Sequence, residues 1–492
     1  MNFILKNKSG KSAAVVIIIL LMILIIAAAA PWYFIISRNL DPDFVVVPPS
    51  AQPERPRDDD NISTDDEPEP EPTPTPEPTP QPLPRFDTII DIHTENPDIA
   101  RELSDIASGY SAVGASLTMY DGESGEYITY QYGLADVEER IDVDINTKFR
   151  VASLSKLTTV ICAMVLADQG MIDLDTDISV YLGYEVINTG FPGTAITVRM
   201  LMQHKSSIFD SGAFDASRRR NSSESVRFLL ERGGSFRKSE PGTHYEYTNF
   251  GYAVLGAICE NVSGRTLDTY ARDVLFKPLD IDAAYLPSKL SDTENIAVLY
   301  NENHSIVLSV EAQLAVEESD ILGHDLHLAQ GNLTISTLDY AKILTMLGNG
   351  GILKDTRILS EEAVHEINDA NVEGIGYKQG LATRFSVGDF IRNEGFFWHT
   401  GSGYGMYSQY VYTALEGVNR GVVVALTGAS IERDETGMVT VCSDLSRLVW
   451  ENFTSLSRAH RTQETPVENT DNGDENDSDS DNGDNGDENG DD

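Results

Sequence analysis

The chain has 492 residues, of which 36 are basic and 78 acidic, for a formal charge of -42. At ~150 residues per domain this length suggests about three domains, but strongly biased ends leave one globular middle. So acidic a chain repels phosphate backbones, which disfavours nucleic-acid binding, and three cysteines (Cys162, Cys259, Cys442) leave no disulfide framework or cysteine zinc site available. Each cysteine reads as a small buried apolar residue.

Taken in chain order, residues 1–12 form a short segment bearing Lys6, Lys8 and Lys11. Residues 13–36 carry no charge, and 13–30 are continuously apolar, enough with the following residues to span a ~30 Å hydrocarbon layer. Three lysines before the run and only Arg38 after it predict a single-pass anchor in the cell membrane, with a cytoplasmic N-terminus and an extracellular remainder. A cleavable signal peptide fits less well, because the apolar run is too long and Pro31 follows the small residues Ala27 to Ala30.

Residues 37–85 read as an acidic, proline-rich linker. Residues 41–84 hold 14 of the 21 prolines, so this stalk is extended at ~3.1 Å per residue and reaches up to roughly 130 Å. At the other end, 458–492 read as a disordered acidic tail. Asp477, Asp479, Asp481 and Glu488 fall at calcium-loop positions, but Asn482 stands where such a loop needs glycine and no amphipathic helix flanks it. Diffuse cation binding is the expectation there.

Between the tails, residues 86–457 form one α/β domain. Val113 to Tyr120 and Tyr127 to Tyr132 are β-rich runs joined by a turn at Asp121 to Gly125, and Tyr407 to Thr413 with Gly421 to Leu426 make a second pair. A helix is expected from about Met438 to Phe453. Strands at both ends with helices between predict an antiparallel sheet flanked by helices, plus a largely helical insertion over about 160–330.

Three clusters carry candidate chemistry. Ser153 and Lys156 stand three apart at the start of a predicted amphipathic helix that stops at Gly170, so they share a face. A serine hydroxyl is a weak nucleophile until a base takes its proton, and a desolvated lysine can hold that base ready. A second Ser-x-x-Lys, Ser235 to Lys238, has no helical period after it and reads as a loop. Tyr247 and Asn249 precede an apolar helix on a loop. His399, Thr400, Gly401 and Ser402 run into a strand, with glycines permitting close backbone approach.

In this order the motifs resemble the serine β-lactamase and penicillin-binding superfamily, in its branch of class C β-lactamases, DD-peptidases and esterases. The resemblance covers roughly residues 86–457 and implies a β-lactamase-like fold. It implies that Ser153 forms an acyl-enzyme, with Tyr247 as general base, assisted by Lys156, and Asn249 binding the substrate amide. It places the oxyanion at the backbone N–H groups of Ser153 and Ser402, turns His399 and Thr400 toward a substrate carboxylate or leaving group, and implies no metal or organic cofactor. His399 replaces the branch's usual lysine, which favours a DD-peptidase or esterase acting on D-alanyl peptides or related esters and amides. The alternatives are a weak β-lactamase, or a non-turnover wall-binding or penicillin-binding module.

Two family turns lack their glycine, at His204-Lys205-Ser206-Ser207 and at Leu279-Asp280. Arg384 and Arg392 lie shortly before the third motif and offer a cation for a substrate carboxylate, solvated surface arginines being the plain alternative. His324 and His327 have no ligand cluster around them and read as surface histidines. No Gly-x-Ser-x-Gly elbow is present, which disfavours an α/β-hydrolase. Oligomeric state is not legible.

Overall fold

A computed structural model describes residues 86–220, 225–232, 234–388, 395–415 and 418–458. The anchor and linker readings over 1–12, 13–36 and 37–85, the tail beyond Arg458, its calcium-like spacing and Arg392 all lie outside these residues. No helix among the described residues is long and apolar enough to cross a membrane.

The main sheet among these residues has ten strands. Its path uses β1 (Thr88–Asp91), β2 (Gly114–Asp121), β3 (Glu126–Asp136), β4 (Val372–Glu373), β5 (Lys378–Gln379), β6 (Arg384–Val387), β7 (Gly395–Gly403), β8 (Met406–Leu415) and β9 (Val418–Thr427), in the order β1-β3-β2-β9-β8-β7-β6-β5-β4. Ile141–Asp142 pairs with β3 off this path. The two expected hairpins are β2–β3 and β8–β9. The sheet is mixed, however: β1 pairs parallel to β3, which corrects the purely antiparallel expectation. A four-residue strand ahead of the first helix carried no alternation strong enough to reveal its direction, and the pairing is decided across 38 residues of chain.

Both faces of the sheet are covered. On β2 the side chains of Ala115, Leu117 and Met119 join α1 (Pro97–Gly109) and α5 (Thr440–Glu451), while Tyr120 faces the opposite core. On that opposite face, Ser116 and Thr118 bond the hydroxyl of Thr337, the first residue of α4 (Thr337–Gly348), at 2.7 and 2.9 Å. The same alternation divides Val422, Val424 and Leu426 of β9 from Val423 and Ala425. Burial on both faces explains why β9 reads as an unbroken apolar run rather than an alternating one.

The central helices are α2 (Ser155–Asp168) and α3 (Phe250–Ser263). Every residue of α2 from Ser155 to Leu166 is buried. The expectation of an amphipathic helix is therefore replaced by one that is enclosed all round, because α3 and the Leu328–Gly331 turn of helix pack against the sides that would otherwise meet water. Glycine at 264 closes α3 in the left-handed conformation, φ 68°. The three cysteines are free and buried.

Candidate active site

Ser153 sits in a single 3-10 turn, Ala152–Leu154, that runs directly into α2. The turn is sharp enough that Ala152 takes a left-handed φ of 44°, a conformation that costs an L-residue about 1–2 kcal/mol. Val151 N–H donating to Leu333 O at 2.9 Å and Ser408 Oγ donating to Val151 O at 2.9 Å hold it in place. Strand β7 passes so closely over this turn that residue 401 has no room for a side chain. A Cβ there would drive into Ser408 Oγ and the Val151 carbonyl and lie 3.3 Å from the Ser153 nitrogen.

Helical spacing brings Lys156 Nζ to 3.2 Å from Ser153 Oγ. The ammonium group also donates to Asn249 Oδ1 at 2.9 Å and to Gln330 O at 2.7 Å, with no exposed surface. Burial pulls the Lys156 pKa below its ordinary value; Tyr247 and then Asp210 oppose it, and the Arg384 guanidinium adds a still smaller lowering effect. Tyr247 OH donates to Ser153 Oγ at 2.8 Å, so the serine oxygen stands between a phenol and an amine.

The Tyr247 to Asn249 segment is gripped by the loop that follows Val198–Met202. His204 Nδ1 accepts from Thr248 N–H at 3.1 Å, and its ring lies 4.5 Å from that of Tyr247. Burial, followed by the Lys156 and Arg384 charges, keeps this imidazole neutral, far below its ordinary pKa. Asp210 takes four donors: Thr248 Oγ1 (2.9 Å), Asn249 N (2.7 Å) and Phe250 N (2.8 Å) on Oδ1, and Asn249 Nδ2 (2.8 Å) on Oδ2. A carboxylate on one side and an ammonium on the other leave the Asn249 amide one orientation.

Sequence reasoning missed Asp210. The residue lies three beyond Ser207 and carries no motif of its own; the signal was an acid positioned to cap a helix that begins 40 residues later. The two family turns that lack glycine have a plain structural outcome: Ser207 in this loop and Asp280 after Leu279 both adopt positive φ, 63° and 53°, so the turns persist without glycine. The second Ser-x-x-Lys remains a loop, with Ser235 Oγ donating to Leu229 O at 2.9 Å.

Ser153, Tyr247, Asn249, Thr400 and Ser402 open on one cleft of about 590 Å³ that Arg384 and His399 also line. His399 is buried, with Nδ1–H donating to Thr400 O at 2.8 Å. Burial, then the Arg384 and Lys156 charges, holds its pKa far below the usual value, so it is no cation. Arg384 is. It projects from β6, in register with Trp398, and its guanidinium carbon stands 4.6 Å from the Tyr377 ring centre, 5.0 Å from Trp398 and 5.8 Å from Tyr247. Its Nε is buried and bonds no group among the described residues. Those residues contain no cluster of three or more His, Cys, Asp or Glu suited to a metal ion, His324 and His327 included.

The arrangement supplies a nucleophile with two proton-handling neighbours, a close strand edge beside it and a fixed positive charge in the cleft. The sequence profile of the Beta-lactamase family matches residues 99–469. The chain is 26% identical over 178 residues to Protein flp of Staphylococcus aureus (strain N315), covering 36% of this chain and 35% of that protein. It is also 26% identical over 187 residues to Penicillin-binding protein 4* of Bacillus subtilis (strain 168), covering 36% and 40%. The matched segments thus span less than half the length of these curated relatives. Among solved structures, an octameric penicillin-binding protein homologue from Pyrococcus abyssi aligns with TM-score 0.56 at 20% identity, over 73% of this chain and 76% of that one. A D-amino acid amidase from Ochrobactrum anthropi SV3 aligns with TM-score 0.56 at 21% identity, over 73% and 99%. A class C beta lactamase from Rhodobacter sphaeroides gives 0.55 at 18%, over 72% and 99%. At these identities the structures are alike in fold.

Proposed function

Because this chain belongs to the Beta-lactamase family of serine hydrolases, we propose that it is a membrane-anchored extracellular hydrolase acting through a Ser153 acyl-enzyme, DD-peptidase-like or esterase-like, on D-alanyl peptides or related esters and amides. The observation that carries the reading is the placement of Ser153 Oγ 2.8 Å from the Tyr247 hydroxyl and 3.2 Å from Lys156 Nζ. A Lys156 pKa lowered chiefly by burial lets the side chain give up a proton, and in that form it can receive one passed from Ser153 by way of Tyr247. The serine oxygen then bonds the substrate carbonyl carbon. Backbone N–H groups of Ser153 and Ser402 stabilise the oxyanion, as the strand edge beside the turn allows. As the intermediate collapses, the bond to the leaving amine or alkoxide breaks and the stored proton goes to that group. Water, deprotonated by the same pair, releases the acid and regenerates Ser153.

A free substrate carboxylate matches Arg384, the charge of which is stacked on aromatic rings and otherwise uncommitted in the cleft. Neutral His399 does not duplicate it, and Thr400 would add a hydroxyl. The lysines at 6, 8 and 11, the uncharged residues 13–36 and the acidic, proline-rich composition of 37–85 support the anchor and the extracellular placement.

The test incubates the full-length protein in detergent, and its Ser153→Ala form, with a penicillin, an aryl ester and a D-alanyl-D-alanine peptide, following intact mass and product. Serine-dependent adducts with product release support the proposal. A penicillin adduct that persists without release of any product marks a non-turnover binder instead, and equal activity in Ser153→Ala overturns the acyl-enzyme. Arg384→Ala is expected to raise KM for the peptide, with little effect on the uncharged ester.

A further inference from the structure

Beyond its motif residues, β7 continues into a two-residue hairpin turn. Gly403 pairs with Met406, leaving Tyr404 and Gly405 at the tip with φ of 57° and 76°. Two consecutive positive φ values are the signature of a turn that ordinarily takes Asn-Gly. A tyrosine in the first place is strained, and strain that persists is held by its surroundings. Gly405 packs against the Tyr300 carbonyl with no room for a Cβ, and Gly428 N–H bridges Tyr300 O at 3.1 Å and Gly405 O at 3.2 Å. The turn is thereby pinned.

The Tyr404 side chain is also placed. The Arg150 guanidinium carbon lies 4.5 Å from its ring centre, and Arg150 Nε donates to Gly331 O at 3.0 Å. The cation covers one face of the ring, yet Tyr404 keeps 43% of its surface exposed, on the wall of the cleft that contains Ser153. Ile375, 80% exposed, lies on the same cleft. Tyr404 is thus a strained, braced and exposed aromatic on the wall of the cleft.

Direction along β7 assigns this ring to one end of the substrate. Arg384 and Thr400 mark the carboxylate end, and the N–H groups of Ser153 and Ser402 mark the scissile carbonyl. Tyr404 lies past Ser402, away from Arg384, and so meets the acyl side. We propose that Tyr404, backed by Arg150, is a stacking platform that selects acyl donors carrying an aromatic ring close to the carbonyl. The inference rests on the serine hydrolase reading above and adds the class of its acyl group.

The experiment compares phenylacetyl and acetyl esters of one phenol as substrates for the full-length protein, with Ser153→Ala as background. The wild type is expected to favour the phenylacetyl ester in kcat/KM, with the preference residing in KM. Tyr404→Ala should cut the phenylacetyl-to-acetyl ratio about tenfold, the scale of one aromatic contact with its buried area. Tyr404→Phe should keep the ratio, and Tyr404→Gly, which suits the turn, should lose it while remaining folded. A ratio unmoved in both Tyr404→Ala and Tyr404→Gly overturns the platform while leaving the hydrolase reading intact. If neither ester is cleaved in a Ser153-dependent way, the hydrolase reading fails and the platform falls with it.

Discussion

Replacing Asp210 by asparagine changes one oxygen to an amide nitrogen, and the geometry makes its consequence specific. The three donors on Oδ1, from Thr248 Oγ1, Asn249 N and Phe250 N, can all be kept by the new amide oxygen. The new NH₂ then faces Asn249 Nδ2, a donor against a donor across what was a 2.8 Å bond. Either that pair stays unsatisfied, or Asn249 flips and turns its NH₂ toward Lys156 Nζ, surrendering the 2.9 Å contact there. One buried unsatisfied donor costs about 1–3 kcal/mol, and loss of the charge on the remaining bonds adds to it. Asp210→Asn should therefore lose about 2–4 kcal/mol of unfolding free energy by denaturant titration. Its kcat/KM should drop about 100-fold, since ~2.7 kcal/mol at the transition state is two decades in rate. The decisive arm is the swap Asp210→Asn with Asn249→Asp, which restores a donor facing an acceptor at both contacts. It should recover stability well beyond the sum of the single effects. Strict additivity, or an Asp210→Asn protein as stable and active as wild type, would refute the orientation argument.

Gly401→Ala forces a methyl group into Ser408 Oγ and the Val151 carbonyl, so a loss of about 1–3 kcal/mol in stability and more than 100-fold in kcat/KM is expected. An alanine protein with wild-type kinetics would mean that β7 does not pass this close to Ser153. Glu260 is buried under the Leu267 and Gly323 N–H groups, and burial pushes its pKa up to about 7 from the ordinary 4.5. A carboxyl whose folded pKa is raised binds its proton more tightly when folded, so its contribution is complete below about pH 4.5 and is lost as pH rises through about 7, a fall of ~3 kcal/mol. Unfolding midpoints of Glu260→Gln, measured from pH 4.5 to 8, should lack that decline, and a parallel decline in both proteins would contradict it. Asp280 is exposed at φ 53°, and Asp280→Gly should gain about 0.5–1 kcal/mol by thermal unfolding, because glycine takes this conformation without strain. An unchanged or lower Tm would count against left-handed strain there.

Local chemistry made much of this protein legible from its residues alone. A Ser-x-x-Lys at a helix start must share a face, and the β-rich runs about Asp121 to Gly125 must fold back on themselves, because helical and strand periods act over a few residues. Those short-range rules also marked Tyr247 and Asn249 as loop residues ahead of a helix, while His399 to Ser402, expected to run into a strand, lie inside β7. Everything that depends on distant partners was decided by the tertiary structure. The direction of β1 and the all-round burial of α2 follow from neighbours far away in sequence. So do the four bonds of Asp210, and the neutral state of His399 beside the charged Arg384 in the cleft. Burial sets charge states and packing overrides propensity, and neither can be computed until the chain has closed around the site.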